Sequence, residues 1–157
     1  MARPGVLPAC GTFARWIILV LCLGQCETGT AATLTLTLSA STLTFPSATP
    51  STTPSIAATQ NPVTVTVKAG ATATWTLTML ASSNLTSGAN QIAASKITWT
   101  ATGTGFSSGT LSTTTQTAVA TGGKGTDKGT LSFFLANSWT EFDGTYATSI
   151  TYTLIQP

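Results

Sequence analysis

Thr33-Leu34-Thr35-Leu36-Thr37-Leu38 sets a hydroxyl side chain against a leucine at every second position. A period of two places one set on a buried face and the other on a wet face of an extended strand. The pattern returns along the chain. Val63, Val65 and Val67 share one parity, as do Ala73, Trp75, Leu77 and Met79, with Thr74, Thr76 and Thr78 between them. Leu131, Phe133 and Leu135 form a further set, and Ile150, Tyr152 and Leu154 the last. β-Branched threonine loses rotamer freedom in a helix and suits a pleated strand. No stretch carries a helical period.

Strands are therefore expected at 33–38, 42–45, 62–68, 72–80, 97–101, 117–121, 130–136 and 146–155, with Phe106 and Leu111 on short strands or a bulged corner. The Ala69-Gly70 turn between Pro62–Lys68 and Thr72–Leu80 predicts a hairpin or a neighbouring pair. Residues 46–59 are rich in Pro, Ser and Thr and read as a loop along an edge, since proline gives a ladder no donor. Residues 82–91 read as a polar loop, within which Asn84-Leu85-Thr86 matches a glycosylation sequon. Residues 122–129 read as a flexible tip, and 137–144 as a turn region holding Trp139 and Phe142. About seven to nine short strands with regular turn signals predict an all-β fold, an antiparallel immunoglobulin-like β-sandwich. The Cys–Trp–Cys signature of antibody domains is missing, which excludes that branch and not the architecture.

The N-terminus has the layout of an export signal. Arg3 and Arg15 supply charge, Trp16-Ile17-Ile18-Leu19-Val20-Leu21-Cys22-Leu23 is apolar, and Gly29-Thr30-Ala31 offers a cleavage site after Ala31, with Ala32 as an alternative last residue. The apolar run is shorter than the about 20 residues a membrane helix needs. Residues 1–31 are thus read as a signal peptide and 32–157 as one domain, with no transmembrane span after processing. Cys10, Cys22 and Cys26 all lie in the leading segment, and Leu23-Gly24-Gln25-Cys26 is a poor match to a lipoprotein box, Gln25 standing where a small residue belongs. The domain that follows contains no cysteine and no histidine.

That composition limits chemistry. Beyond residue 31 the acids are Asp127, Glu141 and Asp143, against Lys68, Lys96, Lys124 and Lys128. So weak a field does not suit nucleic acid or a polybasic lipid contact. A serine or threonine nucleophile has no imidazole to activate it. Glu141 and Asp143 resemble a glycosidase pair only in composition, for both lie in one turn before the last strand. Gly122-Gly123-Lys124-Gly125-Thr126 holds a fragment of a phosphate loop, but Ala118 stands where its first glycine belongs and no helix follows. Zinc has neither thiolate nor imidazole to bind, and calcium lacks its set of oxygen ligands. The expectation is a non-enzymatic protein without cofactor or metal. Trp75, Trp99 and Tyr152 share the parity of the apolar residues on their strands and read as core. Trp139 has no such constraint and is the candidate ligand contact, with plugging one end of the sandwich as the alternative role.

Two pieces of the chain resemble WxL domains, cell-surface modules of some Gram-positive bacteria. One is Trp75-Thr76-Leu77 in a threonine-rich strand; the other is Gly144 to Pro157, with Tyr152 and Leu154 at the positions of the second motif. The C-terminal strand is also similar to those of spore-coat-U-like and pilin-like sandwiches. The WxL resemblance implies an exported module held non-covalently on the cell wall, with peptidoglycan as partner. The sequence supports a second reading as well. The Thr-Leu repeat directly after the cleavage site can add itself to a neighbour's sheet edge, making copies of this chain the partner in a pilus, coat or extracellular fibre. Both readings place the protein outside the cell or on its surface.

Overall fold

The computed structural model describes residues 33–70, 74–142 and 144–156, together with the backbone of 15–21. The expected cleavage site after Ala31, the cysteines Cys10, Cys22 and Cys26, Ala73 and Asp143 lie outside the described residues.

The regular elements of the described residues are all β apart from one 3-10 turn at Ala94–Lys96. The strands are β1 (Arg15–Leu21), β2 (Thr35–Leu38), β3 (Thr42–Phe45), β4 (Ser55–Ala57), β5 (Val63–Ala69), β6 (Trp75–Ala81), β7 (Leu85–Ser87), β8 (Asn90–Ile92), β9 (Ile97–Thr102), β10 (Gly109–Thr110), β11 (Thr117–Gly122), β12 (Gly125–Ala136) and β13 (Ser149–Ile155). Five strands form one sheet in the order β11-β6-β13-β1-β3. A second sheet runs β10-β9-β12-β5-β2, with β4 also on β12. The β7–β8 hairpin stands as a small third sheet. The pairings are antiparallel except that of β1 with β13.

The alternation is realised residue by residue. In β5 the valines are buried and the threonines half-buried; in β6 Trp75, Leu77, Met79 and Ala81 are buried and the residues between are not. The inward residues of both large sheets form one hydrophobic cluster, including Phe45, Val65, Trp75, Leu77, Trp99, Phe133, Ile150 and Tyr152. Removing such a side chain from water contributes about 1.5–3 kcal/mol each. No cysteine lies beyond residue 31, so this cluster holds the domain without disulfides. Each buried indole nitrogen has a partner: Trp75 Nε1 donates to Gly123 O at 3.1 Å and Trp99 Nε1 to Ser107 O at 2.8 Å.

Three expectations need correction. The segments 62–68 and 72–80 are not a hairpin or a neighbouring pair. β5 pairs with β2 and β12, whereas β6 pairs with β11 and β13, so the two strands belong to different sheets. Both strands have one apolar face, and that pattern fits either arrangement. The polar loop at 82–91 contains the β7–β8 hairpin, whose ends Leu85 and Ile92 are buried and whose turn holds Gly88 at a φ of +59°. The tip at 122–129 is mostly strand, since β12 pairs with β5 from Gly125 onward. Gly129 there marks a close approach rather than a turn. A Cβ on it would lie 2.6 Å from the Phe106 ring and from Thr102 O. The 46–59 loop stands as expected, save that β4 adds three residues to the edge of β12.

Candidate interaction site

β1, which takes in Arg15 and the first six residues of the apolar run read as an export signal, lies inside a sheet. It fills the slot between β3 and β13, antiparallel to the first and parallel to the second. Ile18 is the pivot of the register, standing opposite Thr42 on one side and Ser149 on the other.

The two walls alternate in step. On β3, Leu43 and Phe45 are buried while Thr42 and Thr44 are half-buried. On β13, Ile150 and Tyr152 are buried, with Ser149, Thr151 and Thr153 half-buried between and beyond them. Positions 15, 17, 19 and 21 stand opposite Phe45, Leu43, Ile150 and Tyr152 respectively. Positions 16 and 20 stand opposite Thr44 and Thr151. The slot thus presents an apolar and a hydroxyl-bearing position in turn.

The far edge of β3 is closed by other means. Thr44 N donates to Gln60 Oε1 at 2.7 Å, and Thr59 N donates to Thr44 O at 2.8 Å. A side-chain amide and one loop residue stand in for a neighbouring strand, blunting an edge that otherwise invites pairing. The other edge of β13 is taken by β6. Only the slot side of each wall depends on β1.

At one end of the slot, the loop 137–142 joins the two walls. Asn137 N donates to Pro54 O at 2.8 Å, and its Nδ2 donates to Ala48 O and Thr53 O, both at 3.0 Å, in the segment that leaves β3. At the loop's other end the hydroxyl of buried Tyr146, just ahead of β13, donates to Phe142 O at 2.9 Å. From this anchored loop Trp139 and Phe142 project into solvent, 63% and 68% exposed.

The remaining candidate residues divide cleanly. Trp75, Leu77 and Tyr152 are buried, and Leu154 packs partly buried against the same cluster. Burial pushes the Tyr152 phenol well above its ordinary range by desolvating the charged form. Glu141 is half-buried in the loop between Trp139 and Phe142. Among the described residues no group of three or more His, Cys, Asp or Glu stands together. No helix among them is long and apolar enough to cross a membrane.

The sequence pattern singled out Trp139 but not the slot. Parity shows which residues of β3 and β13 are buried; it does not show which strand lies between them. The chain matches no family model and no curated protein.

Proposed function

We propose that this chain is an exported, non-enzymatic structural subunit that assembles with copies of itself. In this reading its two large sheets stack as an immunoglobulin-like sandwich, and residues 1–31 are removed on export as a signal peptide. The observation that carries it is the position of β1 between β3 and β13. Removal of the leading segment takes this strand away and leaves two staggered edges without it, level with each other at Thr42 and Ser149. Unsatisfied backbone groups along a buried slot are costly, and a strand from elsewhere restores them.

The walls favour one donor. A sheet with one face in water prefers a strand that alternates apolar and polar residues. The apolar run places Trp16, Ile18 and Val20 at the positions level with Thr44, Thr42 and Thr151. Thr33–Leu38 sets leucines and threonines in turn, as the slot does. In its own domain this segment pairs with β5 as the terminal strand of its sheet, four residues long, with Thr35 and Thr37 exposed. Such a strand is held by one neighbouring strand, and in the slot of a second copy the Leu36 side chain that leaves its own core is covered again.

Attachment to a cell wall is what the WxL resemblance implies. The residues that carry it, Trp75, Leu77 and Tyr152, are buried and serve the framework. They offer peptidoglycan no surface, so the assembly reading is preferred.

The test is electron microscopy and size-exclusion chromatography of the processed chain, residues 32–157, with and without an excess of a synthetic peptide of residues 32–40. Filaments or open-ended oligomers that the peptide caps into single domains are expected. A processed chain that stays monomeric and ignores the peptide overturns the reading.

A further inference from the structure

We infer that the Trp139–Phe142 loop is the surface on which the body of the donor copy rests once its strand has entered the slot. The inference rests on the assembly reading above and adds a second, separate contact between the same two copies.

Chain length makes the contact close. Leu38 at the end of the donor segment and Thr42 at the start of β3 are four Cα steps apart. Four steps span at most about 14 Å. A copy that donates Thr33–Leu38 therefore brings its own β3, and the sheet attached to it, against the end of the slot from which Leu38 emerges.

Strand direction decides which end that is. Along β1 the walls are equal, four positions each, but β13 runs on past Tyr152 to Ile155 and offers a longer donor the longer edge. Antiparallel pairing is slightly more stable per residue than parallel pairing. A free donor thus runs against β13, opposite in direction to β1, passes Ser149 at the level of Thr42 and leaves the slot beside Phe45. There the loop 137–142 is tied to the segment after β3 through Asn137 and to Tyr146 ahead of β13. Its two exposed aromatics stand where the donor's body must arrive. Aromatic anchors on a fixed loop lose little conformational freedom when covered, which favours them at interfaces. Toward the opposite end, the exposed large apolar residue among the described residues is Ile155, at 47%.

Fluorescence gives a direct test. The processed chain keeps three tryptophans, of which Trp75 and Trp99 are buried and Trp139 is exposed. Assembly is expected to shift the emission to the blue and to abolish acrylamide quenching of Trp139. The Trp139→Phe chain, which lacks that indole, is expected to show neither change. The double variant Trp139→Ser, Phe142→Ser is expected to take up the 32–40 peptide as the parent does, since neither side chain lies in a slot wall. Its assemblies should dissociate roughly thirtyfold more readily, the loss that follows truncation of an interface hot spot. Peptide uptake with Trp139 still quenchable in the assembly, or with the double variant assembling as firmly as the parent, overturns the inference and leaves the slot intact. Loss of peptidoglycan retention in the double variant without loss of assembly also overturns it and assigns the loop to the wall. Failure of the parent to bind peptide or assemble removes the slot reading and this inference together.

Discussion

The side-chain amide of Asn61 clamps the backbone of Phe133. Asn61 Nδ2 donates to Phe133 O at 2.7 Å and Asn61 Oδ1 accepts from Phe133 N at 2.8 Å. Phe133 sits where β12 passes from one partner to another, β5 pairing up to Leu131 and β4 from Phe134 onward. One side chain supplies the acceptor that neither strand offers Phe133 N. Asn61→Ala leaves the Phe133 N–H without this acceptor, while Phe133 O keeps its bond from Ala58 N at 3.0 Å. A loss of about 2 kcal/mol is expected, from one orphaned donor and one lost bond. Urea unfolding at an unchanged m-value measures it, and a change below about 0.5 kcal/mol refutes the clamp.

Gly129 is under a different constraint. A methyl group there meets the Phe106 ring and the Thr102 carbonyl at 2.6 Å, and the carbonyl cannot step aside. Gly129→Ala is expected to cost about 1–3 kcal/mol by overpacking. A companion Phe106→Ala change relieves only the ring contact. Thermal unfolding of the single and double variants should therefore show partial rescue.

Much of the fold is legible in the chain, for one physical reason. Where one face of a strand is wet and the other dry, side-chain parity records it. Trp75, Trp99, Phe133 and Tyr152 are buried as their parity requires. Parity is silent on neighbours, and the hairpin expected of β5 and β6 fails for that reason. Short hairpins hidden in polar sequence, such as β7–β8, are anchored by just two buried residues, Leu85 and Ile92, too few to show a period. The slot was illegible because its occupant, β1, is apolar at nearly every position and lacks alternation. Trp139 stood apart in the sequence because no strand parity governs it, and in the structure it is exposed.

Tyr152 makes stability depend on alkalinity. Its phenol is held above the unfolded value of 10.0 by burial. Above that value the unfolded chain releases the proton while the folded chain retains it, so the folded state binds more protons. Stability falls with rising pH in that range. Tyr152→Phe is expected to flatten the decline, read as the difference in unfolding midpoint between pH 9 and pH 11. Equal slopes in parent and variant exclude Tyr152 as the cause.

Parity also predicts which changes in Thr33–Leu38 matter for assembly. Leu34→Asp with Leu36→Asp puts carboxylates at the slot's apolar positions and should abolish open-ended oligomers. Thr35→Lys with Thr37→Lys alters only the hydroxyl-bearing positions and should leave them. Sedimentation of both processed variants separates the cases, and oligomers that survive the leucine changes exclude this segment as the donor.

Asn137 ties the 46–54 segment down through two bonds from its Nδ2, although its Oδ1 is buried with no partner among the described residues. Asn137→Ala frees two carbonyls and removes that orphaned acceptor. A net cost of about 1 kcal/mol is expected. Limited proteolysis should then cut between residues 46 and 54 faster than in the parent, with the rest of the domain equally resistant.

The half-buried threonines of β3 and β13 and the exposed ones of β2 hold their hydration through hydroxyls rather than ions. Dissolved electrolyte screens charges and has little to act on in such a coat. A material woven from these domains would keep its cohesion alike in rainwater and in brine, and titrating sodium chloride against polymer length would reveal it.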